Sequence, residues 1–138
     1  MIELHRDEFP MAYELAKMCE VDIVYPLSIV EGWQSGRVFV DSLFNPKCAL
    51  FFHACGFGYY GGQYDEYILG QIANMIVDPS GLNDRRLALQ IGNSWYEDSF
   101  FKYRKGIRRL EQCSFEFLGW QRISKNLPEG CRIVAVDR

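Results

Sequence analysis

The sequence contains no run approaching the ~20 apolar residues that cross a bilayer, and it does not open with a basic start ahead of a long apolar stretch. Neither a membrane-spanning helix nor a secretory leader is expected. No two cysteines form a C-x-x-C pair, and the total of five is odd. That pattern fits reduced thiols in a cytoplasmic protein rather than a disulfide framework. Positive charge is in deficit, with 15 Lys and Arg against 18 Asp and Glu, a formal charge of -3 and a sequence pI near 5.4. A nucleic-acid footprint needs a basic face, so this class is not expected either. Internal repeats and low-complexity segments are also absent.

What the 138 residues do contain is 49% hydrophobic and 15% aromatic side chains, with eight Tyr and ten Phe. A single domain of mixed α and β structure follows, since such a chain can bury a core and aromatics favour strands. The basic run FKYRKGIRR at 101–109 suits either a phosphate or acidic partner, or the solvated last turn of a helix.

Gly56, Gly58 and Gly61 fall into the spacing G-x-G-x-x-G, which in a dinucleotide fold links a strand to a helix aimed at pyrophosphate. Other demands of that fold are unmet. Tyr59 and Tyr60 put bulk where backbone must approach phosphate, and Asp65 and Glu66 put negative charge at the mouth of the following helix. No acid follows the next strand pattern at 87–92. The glycines are therefore expected to turn a corner into a buried helix.

Along the chain, 9–19 has helical spacing with Asp7 as N-cap and Pro10 in the first turn, and 25–32 predicts a short helix opened by Pro26 and stopped at Gly32. A hairpin pairs 36–42 with 48–54 around the Asn45-Pro46 turn, and 57–60 is a third strand reached through a tight turn at 55–56. A well-buried helix covers 64–77 and is ended by DPSG at 78–81. A strand at 87–92, a helix over 95–103 and a long strand at 108–118 follow. LPEG at 127–130 is turn chemistry, and 131–137 begins a fresh strand pattern.

That order of elements, with IVEGWQSGRVFVDSLFNPKCALFF at 29–52, FGYYGG at 57–62, SWYEDSF at 94–100, Arg109 and Phe115 in an R-x-x-x-x-x-F pattern, and LPEG at 127–130, resembles the N-terminal half of the two-domain GNAT acetyltransferases akin to the zwittermicin A resistance enzyme. The resemblance implies an α+β fold with a mixed, largely antiparallel sheet, a central helix and flanking helices. It implies a GNAT-like N-terminal domain at 1–126, with 127–138 as the linker and first strand of an absent or truncated C-terminal domain. Acetyl-CoA is the family's cofactor, bound by a Gln/Arg-x-x-Gly-x-Gly/Ala loop before the central helix. Here Gln63 can begin that motif, but Glu66 and Ile68 stand where small residues are required. No cofactor is expected on this chain, and the implied partners are a small amine substrate or a C-terminal GNAT domain.

Acetyl transfer to an amine needs a base and an acid. Glu31, Asp41 and Tyr60 are the candidate catalytic residues, against their structural readings as helix end, strand edge and core aromatic. Trp33, in the polar turn EGWQSG, is the candidate for substrate or partner contact, or packs across its turn. His53 reads as a hydrogen-bonded core histidine with no nucleophile recognisable beside it. Cys48, His53 and Cys55 do not converge as metal ligands, because Cys48 faces away from the other two on a strand, and no metal is expected. Three functions follow: a non-catalytic half of an acetyltransferase scaffold, a stand-alone acetyltransferase with an irregular coenzyme loop, or an interaction protein that dimerises through 131–137.

Overall fold

The continuous apolar run CALFFH at 48–53 is too hydrophobic for a strand with one wet face, and the fold covers both sides of it. The computed structural model describes residues 1–83, 86–92, 106–108, 110 and 129. Met1–Arg108 forms one compact unit and Arg109–Arg138 a second, of which Leu110 and Glu129 are described. Within the first unit, β1 (Ile2–Glu3), β2 (Gly36–Val40), β3 (Cys48–His53), β4 (Phe57–Gly62) and β5 (Ala88–Gln90) form one sheet in sequence order. The first three pairings are antiparallel and β4 to β5 is parallel, so the fold is α+β with a mostly antiparallel sheet.

The predicted hairpin is present, and its register pairs Gly36 with His53 and Val40 with Ala49. Alternation then sorts β3 onto two cores. Ala49 and Phe51 face one side with Val38, Val40 and Tyr59, packed beneath α1 (Tyr13–Lys17) and α2 (Val24–Val30). Cys48, Leu50 and Phe52 face the other side with Phe39 and Tyr60, against Ile68, Leu69, Ile72 and Ala73 of α3 (Glu66–Val77).

Two helix starts differ from expectation. The region predicted as one helix over 9–19 is a 3-10 segment, Arg6–Ala12, followed by the short α1. Pro10 has no N–H to complete an α-helical bond and its ring crowds the preceding turn, so the tighter winding prevails there. Its N-cap is His5, not Asp7, and Glu8 accepts the His5 backbone N–H at 2.8 Å. The buried helix begins at Glu66 instead of residue 64, because Asp65 is extended and its carboxylate accepts the Ile68 N–H at 3.0 Å. The second helix ends as predicted, with Gly32 at φ 79° just beyond it.

A bidentate contact of Arg37 to Glu3, at 2.6 Å for each nitrogen, and a 2.9 Å bond from Arg37 to the Gly81 carbonyl join β1, β2 and the 3-10 turn Pro79–Leu82. Arg37 thereby holds the Glu3 carboxyl below the usual carboxylate range. Among the described residues, no helix is long and apolar enough to cross a membrane. The predicted helix over 95–103, the strand at 108–118 and the 127–138 segment with its proposed dimerising strand lie outside the described residues, apart from the isolated positions 108, 110 and 129.

Candidate functional site

The three glycines that suggest a nucleotide are each explained by packing. Gly56 sits at φ 97° in the turn after β3, where its N–H donates to the His53 carbonyl at 2.9 Å. Gly58 lies in β4, where a Cβ would run into Leu87 Cδ1. At Gly61 a Cβ would collide with the Leu15 carbonyl oxygen and lie 2.9 Å from Cys19 Sγ. That absence of a side chain is what lets the end of α1 rest directly on the sheet.

Beyond the Tyr59–Gln90 pair, β4 continues to Gly62 while β5 ends. A shallow cleft of about 10 Å³, space for one water, opens beside this fork and is lined by Cys19, Glu20, Tyr59, Tyr60, Gln90 and Gly92 among others. Two of its buried titratable walls, Cys19 and Tyr59, stay protonated. Burial, with a smaller contribution from the Asp22 charge, pushes the Cys19 thiol up to about 12, and the same two causes in the same order push the Tyr59 phenol up to about 12. Neither group can serve as a base or thiolate near neutral pH.

A coenzyme pyrophosphate is a poor fit at the adjacent helix mouth. The Asp65 carboxylate already takes the Ile68 N–H, and Glu66 follows in the first turn, so an incoming anion meets two like charges where it needs free donors. Asp65→Ala is expected to lower stability by about 1 kcal/mol through loss of this cap. Thermal melting checks it, as a fall of roughly 3–4 °C for a chain of this size.

The four residues singled out in the sequence are not brought together into a site. Glu31 is the exposed C-cap of α2. The Asp41 carboxylate closes the hairpin loop, accepting the backbone N–H groups of Lys47 at 2.9 Å and Cys48 at 3.2 Å. Tyr60 is buried against α3 and donates its hydroxyl to the Gln63 carbonyl at 2.5 Å. Trp33 is 81% exposed in the turn after α2, so it does not pack across that turn.

One arrangement was missed in the sequence. His53 is hydrogen-bonded, as read, but half-buried at the strand end rather than in the core, and Cys55 lies beside it with Sγ 2.7 Å from Nδ1. The available signal was the H-x-C spacing at the end of a strand, which puts both side chains on one side of the turn. Cys48 lies on the opposite face, as expected, and among the described residues no group of three or more His, Cys, Asp and Glu gathers as metal ligands. No protein-family model matches this chain, and no curated protein sequence matches it.

Proposed function

We propose that this chain supplies the N-terminal domain of a GNAT-type N-acetyltransferase scaffold, contributing surface to a small-amine pocket or to the interface with a coenzyme-binding domain, without holding acetyl-CoA itself. The observation that carries the reading is the β4–α3–β5 unit. Two parallel strands part beyond Tyr59 and Gln90 around a connecting helix, in the element order that the GNAT resemblance implies, while the mouth of that helix carries Asp65 and Glu66. The shallow cleft at the fork, its protonated walls and the acidic mouth support a positioning role over a catalytic one.

Trp33 is the side chain assigned to substrate or partner contact, since its large exposed ring has no core to join. A cytoplasmic location agrees with the free thiols of Cys19, Cys48 and Cys55. The net charge of -3 supports a partner other than nucleic acid. A thiol-release assay with acetyl-CoA and a panel of small diamines and amino sugars tests the reading. No sustained release above background is expected from this chain. Continuous turnover would replace the reading with that of a stand-alone acetyltransferase.

A further inference from the structure

Three polar side chains meet at the turn between β3 and β4. Nδ1 of His53 lies 2.7 Å from Cys55 Sγ and accepts the Cys55 backbone N–H at 3.1 Å, while Nε2 lies 2.5 Å from Gln34 Oε1. A backbone N–H can only donate, so the ring nitrogen it points at carries a lone pair. The ring proton therefore sits on Nε2 and is donated to Gln34 Oε1. This tautomer gives Nδ1 one lone pair, which the Cys55 backbone N–H and the thiol share, so the backbone contact loosens when Nδ1 takes the thiol proton.

The imidazole is also fixed from the side. Tyr25 of α2 meets it edge-on at 5.3 Å, and Tyr25 in turn stacks on buried Tyr59 at 5.7 Å. Gln34 is held by its own backbone N–H, which donates to the Ser28 carbonyl at 3.1 Å. Cys55 is exposed, whereas Cys19 and Cys48 are buried, with thiols pushed up to about 12 and about 11. Nucleophile, base and orienting group are thus in hydrogen-bond sequence on a solvent-facing turn.

We propose that Cys55, His53 and Gln34 form a nucleophilic thiol site that accepts an acyl group from an activated ester or thioester. As Sγ adds to the carbonyl carbon, His53 Nδ1 takes the thiol proton. The bond from that carbon to the leaving oxygen or sulfur then breaks, and the proton passes from Nδ1 to the leaving atom. Acyl-Cys55 and a free alcohol or thiol result, with nothing oxidised or reduced. An ester or thioester carbonyl fits this pair, because the base removes the thiol proton and can return it to an alkoxide or thiolate, while an activated leaving group such as a phenolate departs without it. Gln34 is a positioning residue that fixes the tautomer and holds the imidazolium. These observations are independent of the cleft and of the acyltransferase reading.

The test uses the full chain and p-nitrophenyl acetate, following p-nitrophenolate release and locating the acetyl group by peptide-resolved mass spectrometry, which scores Cys113 and Cys131 separately. One acetyl group is expected on Cys55, arriving at least about tenfold faster in the native chain than in the urea-unfolded chain at the same pH, a comparison that needs no variant. His53→Ala should slow it about a hundredfold, the low end of a positioned base. Among the described residues, the titratable groups in contact with the ring are Cys55, on its own turn, and Tyr25, from α2. With those unchanged, Gln34→Ala, which removes the acceptor that holds the imidazolium, should move the inflection of the pH–rate profile downward, and Gln34→Glu, which puts a carboxylate there, should move it upward. Equal rates in the native and unfolded chains, or an unchanged rate in a folded His53→Ala variant, would overturn the proposal.

Discussion

Gly61→Ala is expected to destabilise the domain by about 3 kcal/mol, the upper end of what overpacking a close-packed interior costs. The added methyl meets the Leu15 carbonyl oxygen, with Cys19 Sγ at 2.9 Å and the Leu15 carbonyl carbon at 3.1 Å. Two of those three atoms are backbone, so a rotamer change cannot relieve the contact and α1 must lift off the sheet. Separation there exposes the core formed by Leu15, Ala16, Cys19 and Tyr59. Gly70 is the internal control. It lies within α3 with open space for a methyl group and nothing within 4 Å of it, so Gly70→Ala should stabilise by about 0.5–1 kcal/mol through helix propensity. Urea unfolding of the two variants side by side measures both signs. A Gly61→Ala protein as stable as the parent would remove the packing explanation of this glycine.

The second large effect is a loss of stability at alkaline pH. Cys19 is raised to about 12 and Tyr59 to about 12, each mainly by burial, and Cys48 to about 11 by burial against the opposing hydrogen bond from Tyr60. The unfolded chain releases these protons near the ordinary thiol and phenol values of about 8.5 and 10. The folded state therefore binds more protons above that range. The associated stability is complete below about pH 8.5 and declines as pH rises through the folded values near 11 to 12. Each tenfold difference in proton affinity between the two states is worth about 1.4 kcal/mol, so the loss by pH 11 is on the order of several kcal/mol. Denaturant midpoints from pH 7 to 11 should be flat at first and then fall steeply. Cys19→Ala should soften the fall, and a flat profile to pH 11 would contradict the buried, protonated thiols.

The hairpin and the buried helix were legible in the sequence because their information is local. CALFFH between turn residues announces a covered strand, and Ile68, Leu69, Ile72 and Ala73 repeat at helical spacing. Features set by backbone competition or by distant partners were harder to read. Pro10 reads as a first-turn proline, but the element starts at Arg6, so the ring falls inside it and favours the tighter winding, which depends on a start the local pattern does not mark. Strand β1 has two residues and exists through its pairing with Phe39 and Val40, which no window on residues 2–3 can reveal. The parallel alignment of β5 with β4 likewise depends on the path of α3 between them.

For the candidate site, the sequence signalled an acidic helix mouth at Asp65 and Glu66 but not that Asp65 is the residue closing it. The glycine spacing offered a ligand motif whose real content is the contact of Gly61 with Leu15, a residue from a distant part of the chain. The His53–Cys55 pair is close in sequence, yet its chemistry depends on Gln34, which arrives from the turn after α2.

Packing accounts for the glycine-rich segment, and the mouth of α3 is closed by its own Asp65 cap, so this domain should not hold coenzyme A. Calorimetric titration of the chain with acetyl-CoA tests that claim most directly. No saturable heat is expected at micromolar coenzyme. A saturable micromolar isotherm would contradict it.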